Sequence, residues 1–235
     1  MDTAGVPHAH RGDRTRHQLA LEMLATHGAA LPHRWIAGDD AMGRPSWFRR
    51  RLTSLGERSL LAVPSNTPRR DLETPPPEYG GKGRHPTRPW QSVVAWSQAL
   101  DDAAWRRMDV RDGSKGPLVV EVVKRRVVSR THRRQQGDEA LLTGIRSRDR
   151  DQDAVVKVDS YLSNTVPETS LEEWARVAKA AHRIEACLQR SKSEAGLADD
   201  EGRNWTGWQQ HQTLSFLQYL RQNRRLKPND ACGKH

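Results

Sequence analysis

Residues 34–63 read RWIAGDDAMGRPSWFRRRLTSLGERSLLAV, and this stretch decides the fold class. A short apolar run at residues 35–38 predicts a strand, and residues 59–63 predict a second one. Between them we expect a helix at residues 45–55, which Pro45 opens and Gly56 ends. A strand, a helix and a strand in this order predict two parallel strands joined by a right-handed crossover, hence an α/β fold.

Two aspartates, Asp39 and Asp40, directly follow the first predicted strand. They would lie at the carboxyl end of that strand, where ligand sites gather in sheets of this kind. A strand end fixes carboxylates while leaving their oxygens exposed, which suits an open active site. The alternative is a solvated turn that binds nothing.

A second informative stretch, residues 178–214, reads AKAAHRIEACLQRSKSEAGLADDEGRNWTGWQQHQTL. Glu185 and Lys192 are seven residues apart, so they stand two helical turns apart on one stripe. Ala178, Ala181 and Leu188 share that stripe, which places Glu185 on or beside the apolar face. A lone carboxylate there costs free energy unless something compensates it. One interpretation is a metal ion, with Lys192 reaching an anionic substrate; the other is an ion pair with Arg183 or Arg190.

This second stretch, with E-x-R-x-W-x-G-W-x-x-H running from Glu201 to His211, resembles the C-terminal catalytic region of DDE transposases from bacterial insertion sequences. In that family a helix carries a Tyr, Arg, Glu, Lys signature. Its glutamate and lysine fall at Glu185 and Lys192, whereas Ala178 and Ala181 stand at the tyrosine and arginine positions. The family's D-x-x-Y-G motif matches Asp39 to Gly43, with Met42 in place of the tyrosine.

The resemblance implies an RNase H-like fold in which Asp39 and Glu185 are catalytic and bind Mg²⁺ or Mn²⁺. Asp40 is the fallback ligand. Hard carboxylate oxygens select these ions over zinc, and such ions polarise a phosphodiester and generate the attacking nucleophile. The family also uses an earlier aspartate on the opening strand of the sheet. Asp2 and Asp13 lie on no apolar strand, so we expect the chain to match the C-terminal part of a transposase and not to cleave DNA alone.

The charge balance agrees with a partner that is a nucleic acid. The 235 residues include 39 Lys and Arg against 29 Asp and Glu, a net charge of +10. Such a field attracts phosphate backbones. No apolar run reaches the roughly 20 residues of a membrane span, and the N-terminus lacks the apolar segment of a signal peptide. Cys187 and Cys232 lack metal-ligand spacing, so we expect a reduced, cytoplasmic protein beside the bacterial nucleoid.

The organisation along the chain is expected to have five parts. They are a disordered N-terminus at 1–13, the first part of an RNase H-like domain at 14–64, a Gly/Pro-rich loop with a β-rich insertion at 65–166, a C-terminal helical part at 167–225, and a tail at 226–235. The loop, residues 64–89, is expected to lack regular structure and to expose Arg69 and Arg70. Strands are expected at residues 105–110, 118–128, 141–145 and 157–162.

Helices are expected at residues 14–27, in a long segment that Pro167 and Ser170 open and that runs to about residue 195, and at 208–225. In the first helix the apolar residues are Leu19, Leu21, Met23 and Leu24. Eight of the aromatic residues are Trp, for which a role in the core is favoured over base stacking. His211, three residues after a Trp, is expected to pack rather than to bind a ligand.

The implied partner is DNA at transposon ends, with a homo-oligomer possible on paired ends. The candidate DNA-binding residues are Lys192, Lys124, Arg125, Arg126, Arg130, Arg133 and Arg134. Two alternatives stay open from the sequence. One is a non-catalytic DNA-binding remnant, and the other is a degenerate gene product without a stable fold or activity.

Overall fold

A computed structural model describes residues 4–8, 11–113, 116–131, 135–148, 155–200 and 203–225. Side chains are described for these residues except at 111–118, 181–186 and 222–225. The chain divides into two compact units. The sheet unit comprises Arg16–Arg111 and Pro117–Lys179, and the terminal unit comprises Met1–Thr15, Asp112–Gly116 and Ala180–His235.

The predicted strand–helix–strand motif is confirmed in the sheet unit. Strand β1 (Ile36–Gly38) pairs in parallel with β2 (Ser59–Ala62), in the register Ile36 to Ser59 and Gly38 to Leu61. The crossover holds two helices instead of the one expected, α2 (Asp40–Gly43) and α3 (Ser46–Ser54), because Pro45 stands between them in an extended conformation. Helix α1 (Arg16–His27) precedes the motif, as predicted.

The remaining strands build a mixed sheet around this motif. They are β3 (Pro68–Asp71), β4 (Gln91–Ser92), β5 (Arg106–Gly113), β6 (Gly116–Arg130), β7 (Gln136–Arg148) and β8 (Val155–Ser163). Among the described residues the order is β1-β2-β8-β7-β6-β3-β4, with β5 paired to β6. Strands β1 and β2 pair in parallel, whereas β2–β8, β8–β7, β7–β6, β6–β3 and β3–β4 are antiparallel. This mixed α/β architecture is consistent with the predicted RNase H-like class.

The sheet is covered on both faces, as the apolar residues on both sides of β2, β6 and β7 require. On one face the first half of helix α5 (Leu171–Glu194) packs Trp174, Ala175 and Ala178 against the sheet. On the other face, helix α4 (Val93–Gln98) contributes Val93 and Trp96. The predicted core role of tryptophan is confirmed for Trp96, Trp105 and Trp174, which are all buried.

The prediction of an irregular loop at residues 64–89 is wrong in one part. Strand β3 forms there, and it pairs with β6 through Arg69 to Ser129 and Asp71 to Val127. Arg69, expected to be exposed, is 1% exposed. Its guanidinium donates to Gln91 Oε1 at 2.9 Å and lies over the Trp96 ring at 5.0 Å. These partners lie in later segments of the chain, so the local Pro and Gly content concealed them.

The predicted apolar face of α1 is also corrected. Leu19 and Met23 are exposed, whereas Ala20, Leu21 and Leu24 pack against α3 residues and β2. His17 extends the same face, since its ring meets Phe48 edge-on at a centroid distance of 5.0 Å. Positions 17, 20, 21 and 24 follow the helical period, and the shorter apolar side chains at some of them weakened the pattern.

The terminal unit contains the second half of α5 and helix α6 (Trp205–Arg225). The predicted end of α5 is confirmed, with Gly196 following at a φ of 67°. His211 on α6 bonds to the Gly196 carbonyl at 2.8 Å, which confirms its packing role. Over the described residues, none of the helices combines the length and the apolar character that spanning a membrane demands.

Gly43 is the residue whose substitution tests this fold most directly. A Cβ at this position would overlap the Ala62 carbonyl oxygen and approach Leu61 Cβ at 3.1 Å, because α2 lies directly on β2. We therefore expect Gly43→Ala to lower the free energy of unfolding by about 1–3 kcal/mol in urea titrations.

Gly80→Ala is the matched control, because no described heavy atom lies within 4 Å of a Cβ added there. Equal urea midpoints for the two variants would show that α2 does not pack on β2 as described.

Candidate functional site

Asp39 lies where the sequence predicted, directly after β1 and at the N-cap of α2. Its Oδ1 accepts a hydrogen bond from the Met42 amide at 2.9 Å, which fixes the side chain and leaves the carboxylate exposed. The Asp39 carbonyl also accepts from the Gly43 amide at 2.9 Å. The carboxylate is therefore held on a strand end with one oxygen open to a ligand.

Asp40, the fallback ligand, is exposed as well and begins α2. Its Oδ2 lies 3.8 Å from Nη2 of Arg44, one helical turn further on. This exposed pair contributes little to stability. Asp39 differs from Asp40 in that its side chain is hydrogen-bonded to the main chain, so its position is the better defined of the two.

Glu185 and Lys192 lie on α5, as predicted. The side chain of Glu185 is outside the described residues, so the structure does not test its role as a metal ligand. Exposure increases along the helical stripe that contains Glu185, since Ala178 is buried whereas Leu188 is 41% exposed. Lys192 is exposed in the last turn of α5. Asp39 belongs to the sheet unit and Glu185 to the terminal unit, so their proximity stays a prediction.

The basic residues of β6 lie on both faces of the strand. Neighbouring residues of a strand point to opposite faces, so Lys124 and Arg126 share one face and Arg125 lies on the other. Lys124 donates to the Pro167 carbonyl and, at 3.0 Å, to the Thr169 carbonyl, and burial lowers the pKa of its ammonium group. Lys124 therefore stabilises the turn before α5.

Carboxylates accompany the next two basic residues of β6. Arg126 Nε donates to Glu139 Oε1 at 2.6 Å, and this hydrogen bond raises the pKa of Arg126. Arg125 Nε lies 3.7 Å from Glu73 Oε2. Their roles in DNA binding stay predictions, as do those of Arg133 and Arg134, which lie outside the described residues.

Arg130 has a different environment at the end of β6. Its Cζ lies 4.6 Å from the centroid of the Trp90 ring, and Cζ of Arg70 also lies 4.6 Å from that centroid. The two guanidinium groups thus share one indole. Among the described residues, no carboxylate lies within ion-pair distance of Arg130, and its buried Nε has no hydrogen-bond partner.

Arg130 lines an open groove of about 910 Å³ in the sheet unit. The other lining residues are Arg44, Pro45, Ser46, Trp47, Arg49, Pro64, Asn66, Thr67, Pro68 and Thr131. We call this the α3 groove. The patterns discussed above did not predict this groove, although R-P-S-W-F-R-R-R at residues 44–51 interleaves aromatic residues with basic ones.

Arg49 forms part of the wall of the α3 groove and connects α3 to its surroundings. Its Nη1 donates to the Gly43 carbonyl and, at 3.2 Å, to the Arg44 carbonyl, and its Nη2 donates to Ser129 Oγ at 3.1 Å. Burial, and then the neighbouring charge of Arg50, lower the pKa of Arg49 to about 10. It stays positively charged at neutral pH.

Two further arginines, Arg146 and Arg148, are neutralised by the fold. Glu121 Oε2 accepts from Arg146 Nε and, at 2.9 Å, from Arg148 Nε. Asp102 lies 2.7 Å from Arg146 Nη1 and 3.5 Å from Arg148 Nη2. Two carboxylates compensate two guanidinium groups, so this cluster belongs to the structural core.

Within the described ranges, no group of three His, Cys, Asp or Glu side chains is arranged to hold a metal ion.

The ion pairs of Glu121 with Arg146 and Arg148 should make the stability of the fold depend on pH. Burial raises the pKa of Glu121, but hydrogen bonds and charges from Arg148 and Arg146 outweigh it, so the folded pKa is lowered. The ionised form therefore stabilises the fold above the unfolded pKa of about 4.3, and this stabilisation is lost as pH falls through the lower folded pKa.

We expect Glu121→Gln to lower the free energy of unfolding by about 1–3 kcal/mol at pH 7. The difference from the wild type should shrink between about pH 5 and pH 3, when urea titrations are repeated across that range. Glu78→Gln, at an exposed loop position, is the control and should match the wild type. A pH-independent difference for Glu121→Gln would contradict the assigned ion pairs.

The comparison with known families matches an N-terminal part of the chain that contains Asp39. A family model described as DDE superfamily endonuclease matches residues 1–117 of the 235. Glu185 lies beyond the matched residues. No curated protein matches the chain. The match supports a DDE-type transposase or endonuclease family for this chain, as the D-x-x-x-G motif at Asp39 predicted.

Proposed function

We propose that the chain acts in DNA transposition as a DDE-type transposase of a bacterial insertion sequence, or as the C-terminal part of one. The observation that carries this proposal is Asp39, an exposed carboxylate at the end of a parallel strand, within the residues matched by the endonuclease family. Strand ends in such sheets are where catalytic ligands gather. Glu185 and Lys192 on α5, at the glutamate and lysine positions of the family signature, support the same family from the C-terminal part of the chain.

The proposal assigns a Mg²⁺ or Mn²⁺ ion to Asp39 and Glu185. DDE-type endonucleases generally depend on divalent metal ions. Asp39 fits such a ligand role because its Oδ1 is fixed by the Met42 amide while the carboxylate stays exposed. When bound, the ion would polarise the phosphodiester that is cleaved. Two carboxylates bind a divalent ion less tightly than the three that the family uses, so we expect a weak site.

DNA is the proposed substrate, and the net charge of +10 supports it. The duplex backbone carries one charge per about 1.7 Å of axis, so a basic protein gains binding energy by releasing the condensed counterions. Several exposed basic side chains, including Lys192, are free of the carboxylate clusters described above. Recognition of transposon ends and assembly of two chains on paired ends belong to the proposal through the family resemblance alone.

Metal binding tests the catalytic part of the proposal without requiring turnover. Mn²⁺ is titrated into the 235-residue chain while water proton relaxation is recorded. We expect Asp39→Asn and Glu185→Gln each to weaken Mn²⁺ binding by about tenfold or more, because each removes one of two charged ligands.

Asp13→Asn is the matched control, since it removes the same charge at an exposed position in the terminal unit. If Asp40→Asn weakens binding and Asp39→Asn does not, the ligand is Asp40. Mn²⁺ affinities that are equal for the wild type and all three aspartate variants would rule out a metal-dependent function at this strand end.

DNA binding is tested separately by fluorescence anisotropy with a labelled duplex between 50 and 200 mM salt. We expect log K to fall linearly with log salt, with a slope of about −0.9 per phosphate contact. DNA binding without any metal binding would favour the non-catalytic DNA-binding remnant. The absence of DNA binding at 50 mM salt would contradict the proposed function as a whole.

A further inference from the structure

We propose that the α3 groove binds a single-stranded segment of nucleic acid, with its phosphates on Arg44, Arg49 and Arg130 and one base stacked on Trp47. This inference rests on the proposed DNA function, and it goes further by naming a surface and a form of nucleic acid. Four observations carry it: the charge of the groove lining, the fixed position of Arg130, the unsatisfied polar atoms beside it and the exposure of Trp47.

Every charged residue among the described lining of the groove is positive. Three arginines line it, and none of the described lining residues is acidic. Asp40 lies 3.8 Å from Arg44, in an exposed pair that water screens. By contrast, Arg146 and Arg148 are matched by Glu121 and Asp102. The groove therefore retains the charge that a phosphodiester backbone complements.

Arg130 is held in place before any ligand binds. Its guanidinium lies over Trp90, whose ring also contacts Arg70, so both cations rest on one partly buried indole. Stacking on an aromatic face restricts a guanidinium while leaving its charge available. The conformational entropy lost on binding a phosphate is accordingly smaller than for a freely moving surface arginine.

Two buried polar atoms beside the groove are unsatisfied within the described chain. They are Nε of Arg130 and Oγ1 of Thr131, both residues of the groove lining. Buried polar atoms are normally hydrogen-bonded, and each exception calls for an explanation. Arg130 thus lacks a described acceptor for its Nε and a described carboxylate for its charge, and a phosphate in the groove would compensate that charge.

Arg49 connects the α3 groove to the strand end that carries Asp39. It donates to the carbonyls of Gly43 and Arg44, which end the short helix that Asp39 caps. The groove thus begins at the end of α2, in the same unit as Asp39. Arg49 therefore joins the lining of the groove to the helix that Asp39 caps.

Trp47 is the residue that specifies a single strand. It is 44% exposed, whereas Trp96, Trp105 and Trp174 are buried in the core. Edge contacts with His17, at a centroid distance of 5.7 Å, and with Phe48, at 6.0 Å, orient its ring. In a duplex the bases are already stacked on each other, so an exposed indole gains a stacking partner only from an unpaired base.

The test uses fluorescence anisotropy of a fluorescein-labelled oligothymidylate of about 12 nucleotides, a length within the usual range of single-strand sites. We expect Trp47→Ala to weaken binding about tenfold without changing the salt slope, because base stacking releases no counterions. Trp47→Tyr should restore most of the affinity. Arg130→Gln and Arg44→Gln should each weaken binding and reduce the magnitude of the slope by about 0.7.

Matched controls separate the groove from the general positive field. Trp208→Ala removes an indole of nearly equal exposure, 42%, from the terminal unit. Arg107→Gln removes one charge from an exposed position on β5. Both controls should bind the oligonucleotide as the wild type does.

The inference is overturned if Trp47→Ala matches Trp208→Ala, or if Arg130→Gln matches Arg107→Gln. It would also be overturned if the wild-type chain bound duplex DNA more tightly than the single strand and Trp47→Tyr lost as much affinity as Trp47→Ala. The proposed function fails separately, when the wild-type chain binds neither single-stranded nor duplex DNA. Binding that none of the groove variants changes would leave the DNA function intact and reject the groove.

Discussion

The close contact between α2 and β2 is the constraint on which the rest of the structure depends. Gly43 lies against the Ala62 carbonyl, and no larger residue fits there without displacing the helix. This contact sets the path of the chain from β1 through α2 and α3 to β2, and therefore the parallel pairing of Ile36–Gly38 with Ser59–Ala62. Asp39 is presented at the strand end because the helix it caps begins at the next residue.

The same contact also determines the α3 groove. Arg49 donates to the Gly43 carbonyl and to Ser129 Oγ, so it links the end of α2 to strand β6 on the far side of the groove. A shift of α2 would move both the carboxylate at Asp39 and the arginine wall. Asp39 and the α3 groove, which lie in the same unit of the chain, therefore both depend on the position of α2.

Local patterns were sufficient to predict most elements of this fold. The apolar runs, the turn at Gly56 and the opening of α5 at Ser170 gave β1, α3, β2 and α5 within a few residues. Sequence patterns failed where the deciding partner is distant. Strand β3 depends on β6, some 60 residues away in the chain, and the buried Arg69 depends on Gln91 and Trp96. Neither partner affects the composition of the loop that suggested irregular structure.

The residues of the candidate site likewise include some that local sequence patterns predicted and others that depend on tertiary contacts. Asp39 was predictable because strand ends and N-caps have local sequence signals, whereas the uses of the basic residues did not follow from their spacing. Lys124 donates to two carbonyls and Arg126 pairs with Glu139, so part of the positive charge stabilises the fold. Arg44, Arg49 and Arg130 come together only through the tertiary structure, since Arg130 lies on β6 and the other two flank Trp47.

Photo-cross-linking shows directly whether Trp47 in the α3 groove contacts a nucleic-acid base. A single-stranded oligonucleotide carrying 5-iodouridine is irradiated with the 235-residue chain, and the cross-linked peptide is identified by mass spectrometry. Because iodouridine cross-links to aromatic rings on which it stacks, the account predicts that the modified residue is Trp47. A cross-link to Trp205 or Trp208 on α6, with none at Trp47, would contradict the proposal that the α3 groove binds nucleic acid.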